Sequence, residues 1–222
     1  MTLIPLLVLA KPIICIDPGH PSEKGVGTKG KVVTEVGFCW TIGGMLKTEL
    51  EAKGYRVVMT KKSEMEMVTN KRRAEIATAA KAACMIRLHC DYEPKEKGIA
   101  TFYANQQGKD GTFVGPPKAV LKQLKPMAEA FHKGLIASLD GALVDRGLRP
   151  DTMTYWGKQY GALIGSIHCK VPSILVEMCV LNHAEDEAFA QSAEGKKKLV
   201  HALAAGVDAA VAVKPVRSVG KK

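Results

Sequence analysis

Short apolar runs alternate with segments of helical periodicity along most of the 222-residue sequence. Apolar runs of about four to eight residues that stop at turn residues are typical of buried strands, and apolar residues three or four apart are typical of amphipathic helices. Their alternation predicts a single α/β domain, with a mostly parallel twisted sheet flanked by helices on both faces. Strands are predicted at 12–17, 55–60, 84–89, 98–103 and 171–176, and helices at 34–53, 66–81, 118–139 and 185–213, the last with a break near Gly195.

The segment 34–53 carries the clearest helix signals. The side chain of Thr34 can cap its first turn, and Gly54 follows the segment, where helices commonly end. Glu35 therefore falls in the first turn of this helix. Two stretches rich in glycine and proline, 21–30 and 108–117, are predicted to be loops.

Composition fits one compact domain, because 46% of the residues are hydrophobic in a chain of ordinary domain length. The formal net charge of +10 favours anionic surroundings, which could be nucleic acid, a membrane face or a bacterial wall. The charge alone does not distinguish among these three kinds of surroundings. With 5% aromatic residues and no recognisable nucleic-acid-binding module, we expect no nucleic-acid partner.

The two ends of the chain are predicted to lie outside the folded domain, which we place at 11–213. Residues 1–10 are apolar and end in Val8-Leu9-Ala10, the pattern of a signal-peptidase site, although no basic residue precedes them. An N-terminal extension or a lead-in to the first strand is an equal alternative. Ten residues are too few to span a bilayer, which needs about 20, so we expect no stable membrane insertion. The basic tail, 214–222, is predicted to be disordered.

The six cysteines form no C-x-x-C pair, which argues against a cysteine-only zinc site. In a secreted protein they could form disulfides, whose connectivity the sequence does not resolve. Several lie in apolar strand patterns, where a buried free thiol is the commoner outcome. Neutral packing is the expectation for Cys90 and Cys179, although each lies next to a candidate site residue.

Four side chains suited to metal binding or proton transfer are predicted at one edge of the sheet. His20 follows the first strand, His89 ends the strand at 84–89, and Glu177 ends the strand at 171–176. Sites in open α/β sheets form beyond the carboxyl ends of the strands, where several loops converge. Glu35 joins them from the helix entered through the His20 loop. Each residue alone is more often structural, but four together indicate a site.

Two histidines and one glutamate suit a catalytic zinc ion, which takes three protein ligands and leaves a fourth position for water. His20, Glu35 and His89 are the candidate ligands. Glu177 follows three apolar residues, and such surroundings raise the pKa of a carboxyl group. A raised pKa suits general base and acid work, so the set is typical of a hydrolase site.

These residues resemble the motifs of the zinc-dependent N-acetylmuramoyl-L-alanine amidases. Residues 14–20, ICIDPGH, are similar to that family's opening motif, which closes on its first zinc-ligand histidine. Residues 34–36, TEV, match its glutamate ligand, and 86–91, IRLHCD, resemble its second histidine motif. Residues 171–177, VPSILVE, resemble the motif that holds its catalytic glutamate. The motifs occur in the family's order across about positions 13 to 213.

Two further segments fit the resemblance. Residues 73–77, RAEIA, resemble the helix that precedes the second histidine, and 145–148, DRGL, resemble a later Arg-Gly segment. Within the first of these, we expect Arg73 to be a structural anchor rather than a catalyst.

The chain also departs from the family's pattern in three places. Pro21 follows His20 where the family usually has a second glycine soon after. The second motif carries Arg87, Cys90 and Asp91 in place of the usual Ser-apolar-His-x-Asn, and Met178-Cys179 replaces Gly-Phe after Glu177. Every proposed ligand is kept, so the departures bear on the substrate subsite.

The resemblance implies a peptidoglycan hydrolase that cleaves the amide bond between N-acetylmuramic acid and the L-alanine of the stem peptide. It implies that His20, Glu35 and His89 hold Zn²⁺, while Glu177 takes a proton from water and returns it to the leaving nitrogen. Peptidoglycan would be the partner, at a periplasmic, secreted or cell-wall location, and we expect a monomer. An activator protein, a phage or sporulation lysin with this chemistry, and a non-catalytic wall-binding protein remain open alternatives.

Overall fold

The computed structural model describes residues 11–213, so the predicted signal sequence at 1–10 and the predicted tail at 214–222 lie outside the described residues. Strands and helices alternate through most of this span, as the sequence pattern predicts. The strands are β1 (Ile13–Pro18), β2 (Arg56–Met59), β3 (Cys84–Asp91), β4 (Ile99–Tyr103), β5 (Gly108–Asp110), β6 (Phe113–Gly115), β7 (Asp145–Pro150) and β8 (Ser173–Val180). The helices are α1 (Glu35–Ala52), α2 (Asn70–Ala79), α3 (Lys118–Leu139), α4 (Tyr155–Tyr160), α5 (Ile164–His168), α6 (Ala184–Gln191) and α7 (Ala193–Ala212).

Six strands form the main sheet, in the order β2-β1-β3-β8-β4-β7. Strands β2, β1, β3 and β8 run parallel to one another, whereas β4 lies antiparallel to β8 and parallel to β7. The predicted single α/β domain with a mostly parallel sheet is therefore confirmed. This order also brings the carboxyl ends of β1, β3 and β8 side by side, where parallel strands form sites.

Helices cover both faces of the sheet. The alternation of side chains along β1 and β3 sends Ile16 and Ile86 into the large core under α1, α3 and α7. The same alternation sends Cys15 and Met85 to the other face, where they pack with Ala77 of α2. Because both faces are buried, these strands read in the sequence as continuous apolar runs. Among residues 11–213, no helix is both long and apolar enough to cross a membrane.

Capping side chains mark the starts of α1, α2 and α7. Thr34 accepts a hydrogen bond from the backbone N–H of Gly37 at 3.3 Å, as predicted for the first turn of α1. The helix predicted at 66–81 begins later, at Asn70, because Thr69 caps it. The last helical region breaks close to Gly195, as predicted, at Ser192, which caps α7 by accepting from the Gly195 N–H.

Two predictions about the strands were wrong in detail. Strand β8 continues to Val180, so Glu177 lies within the strand and does not end it. The extension follows from the buried apolar residues after Glu177 and from the hydrogen bond that the Leu181 N–H donates to the Asp91 carbonyl. The segment predicted as a loop at 108–117 contains a small two-stranded sheet, β5 and β6. The short elements β7, α4 and α5 were not predicted.

We predict that Phe131→Ala strongly destabilises the domain. The side chain of Phe131 is fully buried on α3, and its ring lies against α7, where a Cβ atom added at Gly206 would be only 3.0 Å away. Removing a buried aromatic ring leaves a cavity, so the free energy of unfolding should fall by about 3–5 kcal/mol. Urea denaturation followed by circular dichroism measures this change. Phe113→Ala is the matched control, because Phe113 is 40% exposed; equal losses in the two variants would contradict the prediction.

Candidate active site

His20, Glu35 and His89 converge at the carboxyl edge of the sheet. The first follows β1, the second opens α1, and the third lies near the end of β3. One carboxylate oxygen, Glu35 Oε1, lies 3.3 Å from His20 Nε2 and 3.0 Å from His89 Nδ1. The three donor atoms all lie within 4.8 Å of one another, so together they could hold a metal ion.

Two glycines allow this close approach. A Cβ atom at Gly19 would lie 2.7 Å from both His89 Cε1 and the Leu88 carbonyl oxygen, which is closer than real Cβ contacts. Gly27 has a φ of +84°, and a Cβ atom there would lie 2.6 Å from Glu35 Oε2. The glycine of the Asp-Pro-Gly-His motif is therefore needed because strand β3, at Leu88 and His89, packs directly on it.

Backbone groups orient two of the three donors, His20 and Glu35. His20 Nδ1 lies 3.1 Å from the Gly25 carbonyl, which can only accept, so Nδ1 donates to that carbonyl and Nε2 is the ring nitrogen that faces Glu35. Glu35 Oε2 accepts from the Thr28 N–H at 2.8 Å, and Oε1 accepts from the Cys90 N–H at 3.1 Å. The donor atoms are thus held in place by the surrounding loops.

The protonation states of these donors suit a cation. Burial opposes the ionisation of Glu35, but hydrogen bonds from His20 and His89 outweigh it and lower the pKa of this carboxyl. Burial lowers the pKa of His89, which favours the neutral imidazole that metals bind. Burial also acts to lower the pKa of His20, but its hydrogen bond to Glu35 raises that pKa overall. A metal ion would compete with the proton that His20 and Glu35 share.

Glu177 lies next to this group. It is paired with His89 in the parallel register of β3 and β8, so the two side chains leave the sheet on the same face. All four predicted site residues line one cavity of about 490 Å³. Burial, followed by the negative charges of Asp91 and Glu35, raises the pKa of Glu177 well above its usual value. Its Oε2 atom is buried and has no hydrogen-bond partner among the described residues.

A buried ion-pair network supports the turn that carries His20. The carboxylate of Asp17 accepts from Arg73 Nη1 at 2.7 Å, from Arg87 Nε at 3.0 Å and from Thr60 Oγ1 at 2.5 Å. Burial opposes the charge of Asp17, but the two arginines lower its pKa to about 2. Arg73 also donates to the carbonyls of Pro18 and Pro21, on either side of His20. These contacts make Arg73 an anchor of the loop.

Several cavity residues were not predicted from the sequence. Arg146 of β7 donates to Asp91 at 2.8 Å and to Glu96 at 2.7 Å, which joins the end of β3 to the following loop. The Arg-Gly segment at 145–148 was the available signal for it. Tyr155 and Trp156 of α4 also line the cavity, and the only sequence signal was two adjacent aromatic residues.

The cysteines around the site are packing residues, as predicted. All six are buried and free. Cys90 and Cys179 follow the site residues of β3 and β8 and lie with their sulfur atoms 3.6 Å apart. Neither belongs to the group of donor atoms that could hold a metal.

Comparisons with known proteins agree on one family. The family described as N-acetylmuramoyl-L-alanine amidase matches residues 14–209. An N-acetylmuramoyl-L-alanine amidase of Mycobacterium tuberculosis is 26% identical over 225 residues, which cover 90% of this chain and 86% of that protein. The solved structure of the amidase Ami1 from Mycobacterium abscessus has a TM-score of 0.73 at 22% identity, and the match covers 91% of this chain and all of that one. The CwlD amidase from Clostridioides difficile, solved in complex with the GerS lipoprotein, has a TM-score of 0.69 at 19% identity, covering 92% of this chain and all of that one.

We predict that Arg73→Ala lowers stability but leaves residual activity. The substitution would leave the fully buried Asp17 with one arginine instead of two, and breaking a buried ion pair typically costs about 3–5 kcal/mol. Thermal and urea denaturation measure the change. Arg72→Ala is the matched control, because the neighbouring arginine is exposed and forms its ion pair with the exposed Glu75. A variant with wild-type stability and no activity would instead place Arg73 in the chemistry.

Proposed function

The chain belongs to the N-acetylmuramoyl-L-alanine amidase family, and we propose that it uses a zinc ion to cleave the amide bond between N-acetylmuramic acid and the L-alanine of the stem peptide. One observation carries this proposal. Three side chains that can bind a metal and a fourth that can transfer a proton, Glu177, line the same cavity. Amide hydrolysis needs both functions, because an amide is a poor electrophile with a poor leaving group.

The donor set fits zinc. Ligand atoms of a tetrahedral zinc ion with bonds of about 2.0–2.1 Å lie roughly 3.3 Å apart. The distances from Glu35 Oε1 to His20 Nε2 and His89 Nδ1, 3.3 Å and 3.0 Å, are close to that spacing. Two imidazoles and a carboxylate are also typical zinc ligands, whereas calcium and magnesium prefer oxygen alone. Zinc bound by these three residues would supply Lewis acidity, which polarises a carbonyl group and lowers the pKa of water towards about 7.

Glu177 is the group we assign to proton transfer. Its buried carboxyl holds a proton more tightly than an exposed glutamate, because of burial and of the charges on Asp91 and Glu35. This residue can therefore take a proton from the attacking water. It then donates the proton to the L-alanine nitrogen as the amide bond breaks. Glu35, whose pKa is lowered, is suited to the opposite task of staying ionised as a ligand.

The proposed setting is the cell wall. Peptidoglycan lies outside the cytoplasmic membrane, so we place the enzyme in the periplasm, in the wall or in the medium. The net charge of +10 would favour its retention on an anionic wall polymer.

We predict that the purified protein contains about one zinc ion per chain and that a chelator abolishes activity reversibly. His89→Ala removes a ligand, so zinc content and turnover should fall together. His201→Ala is the control, because His201 is 69% exposed and lies outside the cavity. Elemental analysis of each variant gives the zinc content. A protein without zinc that stays fully active in chelator would rule out the metal-dependent reaction.

We predict that Glu177→Gln retains zinc and loses turnover. Glutamine keeps the shape and hydrogen-bonding capacity of the side chain but cannot take up a proton. General acid and base groups contribute roughly 10²–10⁴ in rate, so amide cleavage should fall by about that factor. Release of stem peptides from purified peptidoglycan, followed by mass spectrometry, measures the rate. Loss of zinc from this variant would make Glu177 a ligand and Glu35 the better candidate for the base.

A further inference from the structure

One part of the cavity lining is aromatic and exposed. Tyr155 and Trp156, at the start of α4, are 75% and 38% exposed, and the neighbouring Met153 is also exposed. All three line the cavity that contains His20 and Glu177. Adjacent large apolar side chains left in contact with solvent at a cavity are typical of a ligand contact.

The backbone beneath these side chains is firmly held. Asp151 is fully buried and accepts a hydrogen bond from the Leu163 N–H at 3.1 Å, which closes the segment 151–163. Gly157 packs so tightly that an added Cβ atom would lie 1.8 Å from the Asp151 carbonyl oxygen. Thr154 caps α4 by accepting from the Gly157 N–H at 2.9 Å. The aromatic side chains are therefore presented by a preformed support, which lowers the entropic cost of binding.

The rings themselves form an ordered surface. Tyr155 and Trp156 meet edge to face with their centroids 5.0 Å apart, and Tyr160 lies nearly parallel to Trp156 at 6.1 Å. Lys24 Nζ lies 4.0 Å from the centroid of the Trp156 ring. Lys24 belongs to the loop that carries His20, so this loop connects the aromatic surface to the first candidate metal ligand.

Other parts of the lining are charged. Arg146, Arg149, Asp91 and Glu93 also face the cavity. The substrate of the proposed reaction also has an uncharged part and a charged part. Acetylated sugars are uncharged and present C–H groups on their ring faces, whereas a stem peptide carries ionised groups. Aromatic rings contact such sugar faces favourably, and charged side chains contact the peptide.

We propose that Tyr155 and Trp156 form a saccharide subsite that stacks on an N-acetylated sugar of the glycan strand. This inference rests on the proposed function and specifies how its substrate lies. The sugar next to the scissile bond would contact the aromatic surface, and the stem peptide would extend along the charged lining. Tyr155 and Trp156 would thus position the substrate, while Glu177 carries out proton transfer.

The first test measures sugar binding without a scissile bond. A soluble N-acetylglucosamine oligomer is added to the intact protein, and tryptophan fluorescence is recorded. Trp40 is the other tryptophan of the sequence, so the signal should disappear in Trp156→Phe if it arises at the subsite. Isothermal titration calorimetry should show that Tyr155→Ala binds the oligomer about tenfold more weakly. Phe113→Ala, which removes an exposed aromatic side chain outside the cavity, should bind like the wild type.

The second test separates binding from turnover. With peptidoglycan fragments that retain their glycan strand, Tyr155→Ala should raise KM about tenfold with kcat nearly unchanged. With a muramoyl peptide that has a single sugar, the increase in KM should be similar, because that sugar is the one that contacts the aromatic surface. The proposed subsite would be wrong if Tyr155→Ala and Trp156→Ala both kept the wild-type KM. It would also be wrong if an active enzyme bound no oligomer. Oligomer binding that needs Tyr155, in a zinc-loaded protein that cleaves no amide bond, would support the subsite and overturn the hydrolase function.

Discussion

Asp17 has no solvent exposure at the end of β1, yet it stays ionised because Arg73 of α2 and Arg87 of β3 both donate to it. A buried carboxylate of this kind is stable only while its partners remain in place, since an uncompensated charge in the interior is very costly. The network therefore links three elements of the domain. Because Arg73 also holds the carbonyls on both sides of His20, the position of the first candidate metal ligand depends on this buried charge.

The parallel sheet places the rest of the site. Strand β3 lies between β1 and β8, so the residues at its carboxyl end contact both the His20 loop and Glu177. His89 and Glu177 are neighbours in register, and a shift of one residue in either strand would turn one of the two side chains to the other face. The proposed reaction requires both groups on one face, and the buried apolar residues of these strands enforce that arrangement.

Local signals were sufficient to predict the fold class and the convergence of the four candidate residues on one cavity, whereas their roles remain predictions. An apolar run followed by Asp-Pro-Gly-His marks a strand end, and Thr34 marks a helix start, so the sequence places His20 and Glu35 without knowledge of tertiary contacts. The partners of Asp17 were not predictable in this way, because Arg87 lies 70 residues along the chain. The aromatic surface was missed for a similar reason. The exposure of this surface depends on Asp151, which anchors the segment 151–163. A periodic hydrophobic pattern in the sequence does not indicate such a contact.

The two glutamates of the candidate site have opposite pKa shifts because their surroundings differ. Both are buried, and burial alone would raise the pKa of each. Glu35 has two histidines and two backbone N–H groups around it, so the ionised form is favoured. Glu177 has Asp91 and Glu35 nearby and an oxygen without a partner among the described residues, so its pKa is raised well above the usual value. Opposite pKa shifts in adjacent carboxyl groups suit the proposed division of roles, in which Glu35 stays ionised as a ligand and Glu177 gains and loses a proton.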